Sequence, residues 1–208
     1  MNVKRGALCV FTKSPVAGKV KTRLVPALGI NEATALYKSL IIRTLETALE
    51  SSIHQVKLYC SPTIEHPDLQ HYSEEYNVQL YIQTGNDLGE KMHRALDHEL
   101  KEFDYAIVLG CDCPWLKPED IDEACLQLEN GVKTVIGPAQ DGGYYLLGLR
   151  DSSRWLFSTM PWGTPKVLQE TRARLSKRNI KWSELTEYSD LDVAEDLADY
   201  ESLLNRTD

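Results

Sequence analysis

A loop rich in cations follows the first apolar run of the chain. Residues 13–24 read K-S-P-V-A-G-K-V-K-T-R-L, and four of these side chains are basic. Lysine and arginine neutralise phosphate oxygens and orient them through hydrogen bonds, so this cluster predicts a phosphate site. Pro15 restricts the loop, and Gly18 permits a close approach of the backbone to a ligand. The residues expected at the phosphates are Lys13, Pro15, Gly18, Lys21, Thr22 and Arg23.

Two well-known phosphate-binding motifs do not fit this loop. A P-loop requires glycine at the position of Lys13 and serine or threonine at the position of Val20. The dinucleotide fingerprint requires three glycines, whereas Gly18 stands alone in the loop. An exposed basic turn without a ligand remains the alternative explanation.

Carboxylates occur at two places that are distant in sequence. Asp112 follows an apolar strand in G-C-D-C-P, where the chain leaves the predicted sheet. Mg²⁺ takes one or two protein carboxylates and fills its other positions with water and phosphate oxygens, so Asp112 is suited to begin a metal site. The second place is residues 189–197, S-D-L-D-V-A-E-D-L, at the entrance of a helix. Capping of a turn or helix explains both places without a metal.

Two further segments predict contacts with a sugar or an acceptor. Asp141-Gly142-Gly143 joins two strands, and its glycines allow a close backbone approach while Asp141 binds hydroxyls. A β-hairpin turn explains the same residues equally well. Trp162, in M-P-W-G-T-P, offers an aromatic platform beside a helix start, with burial in the core as the alternative.

The elements that must position these residues alternate between strands and helices. Asn31 is expected to cap the first helix, whose sheet-facing residues are Leu36, Leu40, Ile41, Leu45, Ala48 and Leu49. Strands are predicted at 7–12, 56–60, 78–83, 105–109, 134–137 and 144–149, with a short edge strand at 180–182. Further helices are predicted at 88–100, 118–130, 165–178 and 193–204. This order predicts an α/β fold with an open, mostly parallel sheet, helices on both faces and ligands at the carboxyl ends of the strands.

Composition excludes several classes of function. The 208 residues, of which 42% are hydrophobic, are expected to form one nucleotide-binding transferase domain over residues 1–208. A net charge of −8 argues against binding to nucleic acid or anionic membranes. With no membrane span or signal peptide recognised, and five cysteines that suit buried thiols, the expected location is the cytoplasm. Zinc at Cys111 and Cys113 is disfavoured because a second ligand pair is missing.

Several motifs, taken together, resemble a poorly characterised family of bacterial GT-A-fold proteins that are labelled glycosyltransferase or transferase. They are K-S-P-x-x-G-x-V-K-T-R-L, Q-T-G-N-D-L-G-E-K-M at 83–92, G-C-D-C-P, G-P-A-Q-D-G-G-Y-Y-L-L-G-L and P-W-G-T, and they cover nearly the whole chain. The chain is more distantly similar to phospholactate guanylyltransferase and the molybdenum-cofactor guanylyltransferases. Their late D-x-D-T-P-E-D-L segment matches residues 190–197, except that Val193-Ala194 replaces Thr-Pro.

The resemblance implies a Rossmann-like GT-A fold of the nucleotide-diphospho-sugar transferase type and a specific site. It implies that Asp112 and Asp192 bind Mg²⁺ (or Mn²⁺) and that Lys13, Lys21 and Arg23 bind the phosphates. Gln83 and Gly85, in the second motif, are added to the expected nucleotide site. The expected partners are a nucleotide or nucleotide-sugar donor and a small-molecule acceptor, and a homo-oligomer is compatible with the sequence.

The leading hypothesis is a Mg²⁺-dependent transferase in which Asp112, Lys21 and Arg23 carry the catalysis by stabilising the leaving phosphate. Glycosyl transfer releases a nucleoside diphosphate, whereas nucleotidyl transfer releases pyrophosphate, and the sequence leaves both open. A noncatalytic nucleotide-binding or partner-binding module is the third alternative, because a fold alone does not fix a function.

Overall fold

The computed structural model of the protein describes residues 4–151 and 153–205. Within these residues the strands are β1 (Gly6–Lys13), β2 (Gln55–Ser61), β3 (Gln79–Ile82), β4 (Tyr105–Gly110), β5 (Thr134–Pro138), β6 (Tyr144–Leu149) and β7 (Trp182–Glu184). The α-helices are α1 (Val25–Glu50), α2 (Pro67–Glu75), α3 (Leu88–Glu99), α4 (Pro118–Glu129), α5 (Arg154–Phe157), α6 (Val167–Lys177) and α7 (Leu197–Leu204). A 3₁₀ turn, Ala194–Asp196, precedes α7.

The strands form one sheet in the order β3-β2-β1-β4-β6-β5-β7. β6 runs antiparallel to its neighbours β4 and β5, and the remaining pairs are parallel. The predicted mostly parallel, Rossmann-like sheet is therefore confirmed. β1 and β4 lie side by side where the strand order changes direction, and a crevice for ligands is expected beyond the carboxyl ends of two such strands.

Apolar residues cover both faces of the sheet. Leu8 and Val10 of β1 contribute to a core with α1, α2 and α4, whereas Cys9 contributes to a second core with α3, α5 and α6. A strand buried on both sides needs an unbroken apolar run, which is why residues 7–10 are uniformly apolar. The prediction of helices on both faces is confirmed.

The first helix differs from the prediction at both ends. It begins at Val25, with Pro26 in its first turn, and Gly29 (φ 79°, ψ 165°) interrupts the helical backbone. The residues before Gly29 form a short helical segment that has proline near its start and was not predicted, and the long helix resumes beyond Gly29, next to the predicted cap Asn31. Ile41, Leu45 and Ala48 join the core against the sheet, as predicted. Leu49 lies in the last turn and is 43% exposed, and Leu36 and Leu40 pack instead in a separate cluster with Leu191 and Tyr200.

The carboxyl-terminal elements are displaced slightly from their predicted positions. β7 overlaps the predicted edge strand at Trp182 alone, because its register is set by parallel pairing with β5. The predicted helix 193–204 is divided into the 3₁₀ turn and α7. The sequence pattern missed α2 and α5, which have only nine and four residues.

The burial of the cysteines agrees with the expectation from composition. All five cysteines are buried and free, as expected for thiols that are not part of a disulfide framework. Across residues 4–151 and 153–205, no helix combines the length and hydrophobicity that crossing a membrane requires.

Candidate functional site

Lys21 connects the basic loop to both acidic segments. Its Nζ lies 2.5 Å from Oδ1 of Asp112 and donates a hydrogen bond to the carbonyl oxygen of Leu191 at 2.6 Å. The backbone N–H of Leu191 donates in turn to the carbonyl oxygen of Asp112 at 2.8 Å. Three segments that the sequence analysis singled out therefore meet at one point, beyond the carboxyl ends of β1 and β4.

The loop conformation that buries Lys21 is fixed by its apolar neighbours. Val20 and Leu24 are buried on either side of Lys21, and the N–H of Leu24 donates to the carbonyl oxygen of Lys21. Lys21 has a φ of 46°, a left-handed conformation that costs a residue with a side chain about 1–2 kcal/mol. Its side chain is only 2% exposed. The fold thus holds a strained, buried cation at this position, and such strain is concentrated at functional sites.

Arg23 makes a second link between the loop and the late acidic segment. Its guanidinium lies 2.7 Å from Oδ2 of Asp192, and both side chains are exposed. The capping role in this segment falls to Asp196, whose carboxylate accepts from the N–H groups of Asp192 and Val193. Asp192 is therefore left to interact with the basic loop.

Asp190 is a site residue that the sequence analysis did not select. Its pKa is raised to about 7, first by burial and then by the negative charges of Asp112, Asp141 and Asp192, while Lys21 acts in the opposite direction. Asp190 therefore lies within electrostatic range of these three carboxylates and of Lys21. The sequence gives no direct signal for this role, because it arises from burial beside carboxylates that are distant in the chain.

The Asp141-Gly142-Gly143 segment forms the turn of the β5–β6 hairpin, so the turn interpretation is confirmed. Oδ1 of Asp141 accepts from the N–H of Gly143, and Gly142 (φ 88°) lies against the carbonyl group of Pro165. The close approach that Gly142 permits is therefore to Pro165. The turn also lies beside the segment that carries Asp190, because the N–H of Gln140 donates to the carbonyl oxygen of Tyr188.

Gln83 and Gly85 serve the local structure after β3. Nε2 of Gln83 donates to the carbonyl oxygens of Thr12 and Tyr59, which ties this loop to the ends of β1 and β2. A Cβ on Gly85 would lie 2.7 Å from Cβ of Glu90. Contact of Gln83 and Gly85 with a nucleotide stays a prediction, and the side-chain N–H groups of Gln83 are already used.

Trp162 lies against the first turn of α3. A Cβ on Gly89 would come within 2.6 Å of the indole ring, and the ring also contacts Tyr144 and Phe157. Its Nε1 is buried without a hydrogen-bond partner. This partly buried position agrees with the core alternative, and a role as an aromatic platform stays a prediction.

The other predicted phosphate ligands surround the end of β1. Lys13 and Thr22 are exposed, whereas Pro15 is buried. Lys13 pairs in register with Ser61 of β2, and Nζ of Lys91 donates to Oγ of Ser61 at 3.3 Å. Lys91, which the sequence analysis did not select, therefore adds a cation to this edge of the sheet.

The donor set at Lys21 suits a hard divalent cation. Carboxylate and carbonyl oxygens are the ligands that Mg²⁺ and Mn²⁺ prefer. Among residues 4–151 and 153–205, no group of three or more His, Cys, Asp or Glu side chains is arranged to hold a metal ion. Asp112 and Asp192 are instead paired with Lys21 and Arg23. Asp112, Asp141 and Asp192, together with Asp190, whose pKa is raised to about 7, outnumber the cations Lys21 and Arg23, and a divalent cation would offset this surplus of carboxylates.

The neighbouring cysteines are part of the buried core. Cys111 and Cys113 are buried, and Sγ of Cys111 donates to the carbonyl oxygen of Phe11. Burial raises the pKa of Cys113 to about 12.

Comparison with known proteins gives a consistent picture of the fold. Residues 44–164 match the family described as "Uncharacterized protein conserved in bacteria (DUF2064)". No curated protein matches the chain. A protein of Desulfovibrio desulfuricans G20, named as a proposed nucleotide-diphospho-sugar transferase, is 28% identical with a TM-score of 0.83, over 92% of this chain and 84% of that one.

Two more distant structures share the fold. A cytidylyltransferase from Leptospira borgpetersenii serovar Hardjo-bovis has a TM-score of 0.62 at 16% identity, over 97% of this chain and 85% of that one. Glucosyl-3-phosphoglycerate synthase from Mycobacterium tuberculosis, in complex with Mn²⁺, UDP and glucosyl-3-phosphoglycerate, has a TM-score of 0.57 at 10% identity, over 90% and 72% of the two chains. The fold therefore occurs in both nucleotidyl and glycosyl transferases.

Proposed function

Because the chain belongs to the DUF2064 family of bacterial proteins and shares the fold of nucleotide-dependent transferases, we propose that it is a divalent-metal-dependent transferase with a nucleotide-sugar donor. The observation that carries this proposal is the meeting of Lys21, Asp112 and Leu191 at the switch point of the sheet. A cationic loop and a carboxylate cluster on one crevice are what a metal–diphosphate ligand requires.

The residues of the chain would act by binding and positioning. Asp112 and Asp192, with Asp190 beside them, would hold Mg²⁺, which when bound supplies charge neutralisation for the leaving phosphate group. Lys21 and Arg23 would orient the phosphates of the donor. This arrangement stabilises a leaving diphosphate without a covalent intermediate on the enzyme.

The other side of the crevice is the proposed place for the transferred group and its acceptor. Asp141 lies near Asp190, on the hairpin turn, and keeps a carboxylate oxygen beyond the bond it accepts from Gly143. A carboxylate accepts hydrogen bonds from sugar hydroxyls, so Asp141 would orient the sugar or a hydroxylated acceptor.

Nucleotidyl transfer is the second candidate, and the density of cations favours it. Lys13, Lys19, Lys21 and Arg23 lie on one loop, with Lys91 near its start. A leaving pyrophosphate carries more negative charge than a leaving nucleoside diphosphate and so gains more from such a loop. The likeness to a cytidylyltransferase supports this candidate at the level of fold alone.

The products separate the candidates. The protein is incubated with Mg²⁺, a mixture of small hydroxylated acceptors and either nucleoside triphosphates or nucleotide sugars. Metal-dependent release of a nucleoside diphosphate from a nucleotide sugar supports glycosyl transfer, and release of pyrophosphate from a triphosphate supports nucleotidyl transfer. Asp192→Asn is the matched control and should lose either activity. Tight binding of nucleotides with no product from any donor would favour the noncatalytic alternative and refute the proposal.

A further inference from the structure

The ammonium of Lys21 already occupies a position that is typical of a metal ion. It contacts one carboxylate oxygen, from Asp112, and one backbone carbonyl oxygen, from Leu191, at 2.5 and 2.6 Å. Both are oxygen ligands of the kind that bind Mg²⁺. The side chain is 2% exposed, so water does little to replace these contacts.

Building on the function proposed above, we propose that Lys21 is an internal counter-ion whose ammonium occupies the position of the divalent cation at Asp112 until the metal binds. Lys21 leaves Asp112 when the metal binds and donates its hydrogen bonds to the phosphates of the nucleotide. The protein therefore exchanges one internal cation for an external one, and metal and phosphate bind cooperatively.

Electrostatics supports the exchange. An ammonium and a divalent cation on the same carboxylate repel each other, so a metal ion at Asp112 favours the state in which Lys21 has moved away. The loop backbone is anchored by the buried residues Val20 and Leu24, whereas the long lysine side chain can change rotamer without moving them. Lys21 can thus stay within the site while its charge moves from Asp112 toward a phosphate.

The same arrangement explains how the carboxylate cluster is tolerated without a metal. Asp190 and Asp192 flank Leu191, which is hydrogen-bonded to both Lys21 and the backbone of Asp112, so the ammonium of Lys21 offsets the repulsion among these carboxylates. Such an internal cation lowers the affinity for a metal alone, because the metal must displace it. A nucleotide phosphate compensates for this displacement by accepting hydrogen bonds from the ammonium of Lys21. The metal and the nucleotide therefore each strengthen the binding of the other.

The test measures binding of Mn²⁺ alone, without nucleotide, to the wild-type protein and to Lys21→Met, by electron paramagnetic resonance of free Mn²⁺. Methionine keeps a similar length and volume but removes the charge. We expect Lys21→Met to bind Mn²⁺ about tenfold more tightly, equivalent to about 1.4 kcal/mol. Lys19→Met is the matched control, because it removes a positive charge from an exposed position in the same loop. Equal Mn²⁺ affinity for the two variants, or weaker binding by Lys21→Met, would overturn the proposal.

A second measurement uses the wild-type protein, so the proposal can be tested even if Lys21→Met does not fold. Acetylation of lysines, followed by mass spectrometry, should label Lys21 several-fold faster with saturating Mn²⁺ than without it, while Lys19 is labelled equally in both. Unchanged protection of Lys21 in the presence of bound Mn²⁺ would also refute the exchange. Failure of the proposed function is a separate result: no donor would then give a product, whatever the Mn²⁺ affinities of the two variants.

Discussion

Removal of the Asp112 carboxylate should destabilise the protein as well as its ligand site. In Asp112→Ala, the ammonium of Lys21 keeps the carbonyl oxygen of Leu191 but loses its charged partner. Breaking a fully buried ion pair costs about 3–5 kcal/mol, because the remaining charge is left unpaired in the interior. Asp112 is 52% exposed, so solvent and the nearby carboxylates reduce the loss, and we expect about 1–3 kcal/mol.

Urea denaturation followed by circular dichroism measures this loss. With a denaturant dependence of about 2 kcal/mol per molar urea, the midpoint should fall by about 0.5–1.5 M. Lys21→Met in the Asp112→Ala background should cost little more, since the unpaired charge is then absent. The two substitutions should therefore be strongly non-additive in a double-mutant cycle. A wild-type midpoint for Asp112→Ala, or additive losses, would refute the idea that the pair is structural.

Three other substitutions test separate parts of the structure. Gly142→Ala should lower the free energy of unfolding by about 3 kcal/mol or more, and Gly163→Ala by only about 1–2 kcal/mol. Both glycines have positive φ, but only at Gly142 would the added Cβ collide with a neighbouring backbone. Equal unfolding midpoints for the two variants would contradict this. Glu99→Leu should lower the free energy of unfolding by about 3–5 kcal/mol, measured by thermal or urea unfolding, because it leaves the buried ammonium of Lys57 unpaired. An unchanged midpoint would show that this ion pair does not stabilise the fold. Arg23→Ala should change the free energy of unfolding by less than about 0.5 kcal/mol, because its ion pair with Asp192 is exposed. The same substitution should weaken the binding of nucleotides, measured by calorimetry, far more than the binding of nucleosides. An equal loss of affinity for nucleotides and nucleosides would exclude contact of Arg23 with phosphate.

Much of the fold could be predicted because its signals are local. The apolar run of β1 indicates a strand covered on both faces, and Pro118 marks the start of α4. The helical segment before Gly29 was not predicted. The sequence analysis placed the helix start at Asn31, just beyond Gly29, whereas the folded chain already forms helix from Val25.

The candidate site was less accessible to sequence analysis because its contacts join distant residues. Lys21 and Leu191 are 170 positions apart, and the hydrogen bond between them goes to a backbone carbonyl, which no residue type signals. Asp190 was overlooked because its importance comes from burial among other carboxylates rather than from its own neighbours in the chain. Gln83 was expected at a nucleotide, but its amide is used by two carbonyl oxygens that only the sheet brings together.

The structure also changes the expected consequence of altering Asp112. From sequence alone, a metal-binding aspartate at a strand tip can be replaced with little effect on folding. The ion pair to the buried Lys21 predicts a measurable loss of stability instead. Binding experiments on Asp112 variants therefore need a parallel check that the protein is folded.

The central claim is that a divalent cation and nucleotide phosphates share the crevice around Lys21. Isothermal titration calorimetry of nucleoside triphosphates and nucleotide sugars, with Mg²⁺ and then with EDTA, tests it most directly. The account predicts binding that weakens at least about tenfold without the metal and is lost in Asp192→Asn. Binding of equal strength with Mg²⁺ and with EDTA, or no binding of any phosphorylated nucleotide, would contradict it.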